Sequence, residues 1–184
     1  MAGSLWRTRP AGQPDKTKSI TVHNTNDLEA LLQSGYRYAL SLSHDPARAD
    51  DLLQDAWVAI LGANGPMTKP YMFKAIRSRF INHHHRNSRV TLVPLDGGAE
   101  HMPDHRSEFN EPLSAAELAR LDDALATLRD VEREVLYLTL VEGYTAQEVT
   151  DLTGHSRGTV LSLAHRARAK LRRYFADPLR EVNP

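Results

Sequence analysis

The stretch from Gly143 to Arg173 constrains this chain more than any other part of it. Thr145 followed three residues later by Glu148 has the form of a capping box, which opens a short helix. Gly154 then supplies a residue tolerant of positive φ, and Ser156 caps a second, longer helix. Val149 and Leu152 on the first helix fall where they pack under Val160 and Ala164 on the second. The pattern is that of a helix-turn-helix, whose second helix enters a DNA major groove. The early turns of that helix offer Arg157, Thr159, Ser162, His165 and Arg166. Arginine bonds a guanine edge in bidentate fashion, and Thr or Ser bonds bases or phosphates. Arg168, Lys170, Arg172 and Arg173 lie further along and suit phosphate contacts, which add affinity without sequence information. An ordinary amphipathic hairpin remains the alternative on this pattern alone.

A formal net charge of zero argues against nucleic acid, but the distribution reverses that. From Lys69 to Arg89 there are six Lys/Arg and no acid, and from His155 to Ala176 there are again six and no acid. Between them lie Asp96, Glu100, Asp104, Glu108, Glu111, Glu117, Asp122 and Asp123. Two basic footprints around an acidic connector imply two contacts with a polyanion. The chain has no cysteine, which excludes disulfides and thiolate metal sites and fits a cytoplasmic home. No apolar run approaches the roughly 18 residues of a membrane span.

Residues 1–24 read as a mobile basic tail. Leu28, Leu31, Leu32, Tyr36, Ala39 and Leu40 predict a helix behind an Asn26 N-cap. Asp45-Pro46 starts a second helix carrying Leu52, Leu53, Ala56, Trp57, Ile60 and Leu61, which stops at Gly62–Pro66. A third runs from Thr68-Lys69-Pro70 to about Asn87. Residues 89–113 are a linker long enough to mark a domain boundary, and only Ser88–Leu95 shows a brief strand-like alternation. Ser114 with Glu117 is a further capping box, leading into Leu118, Leu121, Leu125 and Leu128. Val131–Val141 predicts one nearly all-apolar helix, followed by the helix-turn-helix. The fold class is therefore all-α: a three-helix domain over 25–88, the linker, a four-helix domain over 114–177, and a tail over 178–184.

Both halves together carry a resemblance. Asp45-Pro46-Ala47-Arg48-Ala49-Asp50-Asp51-Leu52-Leu53-Gln54-Asp55-Ala56-Trp57, Tyr71 through Arg77 with His83 and Arg86, Glu132-Arg133-Glu134-Val135 and Thr145–Leu171 appear in one order. In that order the chain resembles the sigma-70 family of bacterial RNA polymerase initiation factors, specifically the small two-domain extracytoplasmic-function (ECF) group. The resemblance implies a non-enzymatic specificity factor without cofactors. It implies binding to core RNA polymerase, recognition of −35 and −10 promoter elements, melting of the latter, and restraint by an anti-sigma factor. It places the core polymerase contact on Asp51, Gln54 and Asp55, with Trp57 as an aromatic anchor or as core. It gives the −10 contact to Lys74, Arg77, Arg79 and Arg86 for phosphates and to Asn82 and His83 for bases or backbone. Asn64, in the loop before that helix, either cups a flipped base or merely turns the chain. The −35 contact falls to Arg157, Thr159, Ser162, His165, Arg166, Arg168 and Lys170.

The chain departs from the family in places. Tyr71 stands where Trp is common, Ser78 where Asn is, and Arg79 where a small apolar residue is. Leu161 and Leu163 stand where basic residues are common, and Ala164 where Leu is. Two other classes therefore stay open: a decoy that sequesters an anti-sigma factor, and a stand-alone helix-turn-helix regulator. His83-His84-His85 suggests a metal site, but consecutive helical side chains diverge by about 100° and do not converge on one ion. No catalytic constellation is present in the sequence.

Overall fold

The computed structural model describes residues 25–87 and 114–176. The expected tails at 1–24 and 178–184, the linker at 89–113 and the alternation at Ser88–Leu95 lie outside the described residues. Those described form α1 (Thr25–Ser43), α2 (Pro46–Gly62), α3 (Lys69–Asn87), α4 (Ala115–Ala126), α5 (Asp130–Leu136), α6 (Ala146–Thr153) and α7 (Arg157–Ala176). A π-helical segment, Tyr137–Val141, continues α5. No strand occurs among the described residues.

Local chemistry sets most boundaries. Asp45 caps α2, its carboxylate accepting from the amides of Ala47 and Arg48, with Pro46 in the first helical position where no amide bond is lost. Ser114 with Glu117 and Thr145 with Glu148 form reciprocal capping boxes at α4 and α6. Gly154 ends α6 at φ 77°, the left-handed conformation that only glycine adopts cheaply, and so makes the turn into α7. Ser156 Oγ accepts from the Thr159 amide at the start of α7. One expected boundary moves: α1 is already formed at Thr25, so Asn26 lies inside the first turn and is not its cap.

A second expectation is corrected at Val131–Val141. The run is an α-helix only to Leu136; beyond it the Glu142 amide bonds back to Tyr137 O, a five-residue reach that widens the turn. The wider turn shifts the helical register, so Leu138 is buried while Leu140 and Val141 face solvent.

Helices α1, α2 and α3 enclose Leu31, Leu42, Leu52, Ala56, Ile60, Met72 and Ile76. Gly35 lets the three helices approach closely, since a Cβ there would sit 2.8 Å from Leu53 Cδ1 and 3.3 Å from Met72 Cγ. Gly35→Val is therefore expected to lower the unfolding free energy by about 1–3 kcal/mol through overpacking, as read from a urea titration. The second domain buries Val149, Leu152, Val160, Leu163 and Ala164 between α6 and α7. Leu128, Leu136 and Ala167 form a smaller satellite cluster.

The two domains are not held apart. Helix α5, the π segment and α6 lie against α1 and α3, and the buried cores of both halves merge into one cluster. Tyr38 and Phe73 of the first domain stack at 4.3 Å; Tyr137 and Tyr144 of the second approach them at 6.1 and 6.4 Å.

Candidate nucleic-acid interface and the domain contact

Helix α3 presents its cations unequally. Lys74 is exposed and Arg79 half-exposed. Arg77 is turned into the domain contact, its Nε donating to Glu134 Oε1 at 2.9 Å and its Nη2 lying 3.4 Å from His155 Nε2. Tyr38 donates its hydroxyl to the same Glu134 oxygen at 2.6 Å. Lys69, at the start of α3, pairs with Glu142 and lies 5.6 Å from the Phe73 ring centroid. Asn82 is exposed, and His83 Nε2 stands 3.5 Å from Asp55 Oδ2 on α2. The Arg86 side chain, like those of His84 and His85, lies outside the described residues. Asn64 is exposed at φ 47°, in a loop whose Gly65 lies directly against the Tyr71 ring.

An open cleft of about 320 Å³ runs between α3 and α6. Lys74, Arg77, Ser78, Ile81 and Asn82 line one side and Leu152 the other. The structure thus gathers three of the expected −10 contacts, Lys74, Arg77 and Asn82, at the edge of the helix-turn-helix.

On α2, Asp51, Gln54 and Asp55 are exposed together, spaced so that they share one face. Trp57 is half-buried and packs its ring against the core. On α7, Arg157 is exposed, and Thr159, Ser162, His165, Arg166 and Arg168 are half-exposed. Thr159 Oγ1 lies 2.9 Å from Ser156 Oγ. Lys170 has another engagement: its ammonium is 2.7 Å from Glu132 Oε2 on α5. Burial alone would raise the Glu132 carboxyl. The Lys170 bond, the Arg129 amide and both cations more than offset this, holding it below its ordinary 4.5. The reading surface is also narrower than expected at one point. Leu163 is buried in the core and Leu161 packs against it, so Leu163 does not displace a cation from an exposed reading face.

Tyr38, Arg133, Glu134, Glu142 and His155 carry roles in the domain contact that the sequence pattern does not assign them. Arg133 crosses the domain contact, donating to Leu128 O at 2.6 Å, to Ser41 O at 3.3 Å and to Leu42 O at 3.4 Å. A guanidinium thereby satisfies carbonyls that α1 leaves open at its C-terminus, where the helix dipole favours positive charge. Burial beside the Glu134 carboxylate pushes the Tyr38 phenol well above 10. Burial, then Glu142 and Glu148, lift Tyr144 to about 12.

His155 carries a pH consequence. Burial, then the neighbouring Arg77 charge, depress its pKa below 6.5, and Glu134 only partly opposes them. A histidine depressed in the folded state contributes stability above its unfolded value, and that stability is lost as pH falls through the folded one. The melting temperature is therefore expected to drop as pH falls below about 6.5, and more steeply than in His155→Gln, when thermal melts are compared between pH 8 and 5.

Among the described residues no group of three or more His, Asp or Glu is placed to hold a metal ion. No helix among them is long and apolar enough to cross a membrane. A helix-turn-helix beside a cationic helix is the form of a DNA-binding protein. Two family models match: Sigma-70 region 2 over residues 28–90 and Sigma-70, region 4 over residues 124–173. SigL of Mycobacterium tuberculosis, an ECF RNA polymerase sigma factor, is 32% identical over 144 residues, spanning 74% of this chain and 80% of that protein. The RNA polymerase sigma-E factor of Streptomyces avermitilis is 34% identical over 148 residues, 78% of each chain. In solved structures, the sigma factor RpoE of Bartonella quintana, in complex with the anti-sigma factor NepR, shares the fold. It superposes with a TM-score of 0.61 at 22% identity, over 83% of this chain and 96% of that one. The chain belongs to the ECF group of the sigma-70 family, whose members are transcription initiation factors and not enzymes.

Proposed function

We propose that this chain binds core RNA polymerase and directs initiation at promoters that it selects through a −35 and a −10 element. The observation that carries this reading is the exposed polar face of α2, Asp51, Gln54 and Asp55, on a domain matching region 2 and preceding one that matches region 4. A stand-alone helix-turn-helix regulator has no need of that face. Arg157, Thr159, Ser162, His165 and Arg166 meet −35 bases, with Arg168 and Lys170 on phosphates. Lys74, Arg77, Arg79 and Arg86 hold the melted −10 strand, and Asn64, Asn82 and His83 meet its bases or backbone. A sigma factor of this fold is known bound to an anti-sigma factor, and we extend that restraint to this chain. Of the two leucines that favour a decoy, Leu163 is buried in the core and Leu161 alone stays partly exposed.

The test is transcription in vitro with core polymerase and a promoter library. Defined start sites that disappear with Asp51→Ala/Gln54→Ala/Asp55→Ala support the reading. Duplex binding that needs no polymerase would point to the stand-alone regulator. Capture by an anti-sigma factor without initiation would point to the decoy.

A further inference from the structure

The recognition helix α7 is held at two places along its length, by different kinds of force. Val160, Leu163 and Ala164 are buried together with Val149 and Leu152 of α6. Further on, Ala167 packs with Leu128 and Leu136, and about one turn later Lys170 reaches Glu132 on α5. Apolar packing is non-directional, and the small side chains of Ala164 and Ala167 offer little shape to resist a roll of α7 about its own axis. A charge-assisted hydrogen bond has a set direction and does resist it. Such a roll re-aims every side chain on the helix. Tips about 5–6 Å from the axis move by about 2 Å for a roll of about 20°. Hydrogen-bond lengths vary over only about 0.5 Å, so that movement is enough to lose a base contact.

Glu132 is built as a fixed anchor. It is 1% exposed. Its Oε2 accepts from the Arg129 amide at 3.0 Å and from Lys170 Nζ at 2.7 Å, and its Oε1 accepts from Arg129 Nη2 at 3.2 Å. The two Arg129 bonds hold the carboxylate in place, so Lys170, and α7 with it, takes its position from α5. The ammonium carries three donors, and its side chain is 39% exposed, which leaves room for a phosphate on the others.

We propose that Glu132 is a positioning residue for promoter reading. Through Lys170 it fixes the roll of α7, and so the aim of Arg157, Thr159, Ser162 and Arg166, without touching DNA itself. The proposal rests on the reading of α7 as the −35 helix.

Glu132→Gln separates this link from the helix cap. Glutamine also serves at the third position of a capping box, so the Arg129 amide keeps its acceptor while Lys170 loses its carboxylate. The readout is the affinity of the holoenzyme for two promoter duplexes, measured by filter retention. They differ only in the −35 element, which is native in one, as found with the promoter library, and scrambled in the other. The ratio of the two affinities is expected to fall about three- to tenfold in Glu132→Gln, part of the discrimination that a bidentate base contact carries. Affinity for the scrambled duplex is not expected to fall, because the change removes a negative charge near DNA. Lys170→Met is expected to show the same fall in ratio and, with one phosphate contact gone, a salt slope smaller by about 0.9. The double variant is expected to match Lys170→Met in ratio and not to show the product of the two losses, since both changes break one link. Lys170→Arg keeps a cation for Glu132 and is expected to retain the parental ratio.

Lost stability scales both affinities alike, so an unchanged ratio in Glu132→Gln overturns the positioning role even if that variant melts earlier. Multiplicative losses in the double variant would overturn it as well. Circular dichroism checks that each variant folds, and Lys170→Met decides the matter if Glu132→Gln does not. A parent that binds both duplexes equally would overturn the −35 reading and the positioning role together. A parent that discriminates, with variants that discriminate as well, would overturn the positioning role alone.

Discussion

Phe73→Ala is expected to lower the unfolding free energy by about 3–5 kcal/mol, as measured by urea denaturation with far-UV circular dichroism. The ring is fully buried, stacked on Tyr38 at an interplanar angle of 18°, with Tyr144 on another side. Truncation removes the transfer free energy of the ring and leaves a cavity that the close-packed surroundings fill only in part. The stacked pair adds about 0.5–1.5 kcal/mol beyond area. A domain of this size is held by roughly 5–15 kcal/mol in total, so the loss is a large share. The location adds a second readout, because Phe73 supports both α1 and the turn that leads into α6. If the two halves unfold as one unit in the parent, Phe73→Ala is expected to split the transition, with helix lost in two steps. A variant that retains parental stability would show that the aromatic cluster is not the joint between the domains. Phe73→Leu keeps most of the volume and is expected to lose clearly less.

Much of the helical order was legible because caps and turns are local. Asp45-Pro46, Ser114 with Glu117, Thr145 with Glu148 and Gly154 each announce a boundary within four residues, and the structure uses each of them. Asn26 suits a cap by residue type, and nothing local to it marks that α1 is already formed at Thr25. The π segment was illegible for a different reason. Tyr137–Val141 is an apolar stretch, and only the partners of Tyr137, Leu138 and Glu142 distinguish an i+5 turn from an i+4 one. The domain contact was hidden by distance along the chain, since Glu134 meets Tyr38 from 96 residues away and Arg77 from 57. One signal was present. Glu132, Arg133 and Glu134 interrupt an apolar run, and three consecutive buried charged residues require three sets of partners. Those partners are Lys170 and Arg129, the α1 and Leu128 carbonyls with Asp130, and the Tyr38–Arg77 pair. For the candidate site, the sequence located the cations on α3 and α7 but not their engagements. Arg77 and Lys170 look alike in a list of basic residues, and the structure places both on buried carboxylates.

Arg77→Met is expected to be the most costly of the single charge deletions on α3. It leaves the Glu134 carboxylate buried with Tyr38 as its remaining described donor. Removing one partner of a buried pair costs about 3–5 kcal/mol when the other stays in place. Here the structure offers a cheaper route: separation of the domains returns Glu134 to water. The measured loss is therefore capped by the free energy of the contact itself, and the excess appears as separation of the domains, read as a larger radius of gyration in small-angle X-ray scattering, and not as unfolding. Adding Glu134→Gln to Arg77→Met removes the stranded charge and keeps an acceptor for the Tyr38 hydroxyl. The double variant is expected to regain closure, with a coupling between the two positions of about 1–3 kcal/mol in a double-mutant cycle. A coupling near zero would show that Glu134 is satisfied without Arg77. Transcription alone does not separate these effects, because Arg77→Met loosens the contact and removes a phosphate partner at once, with opposite consequences for promoter binding. Arg79→Met supplies the comparison. It lies on the same helix, two residues away and half-exposed, and is expected to weaken promoter binding with no change in domain separation.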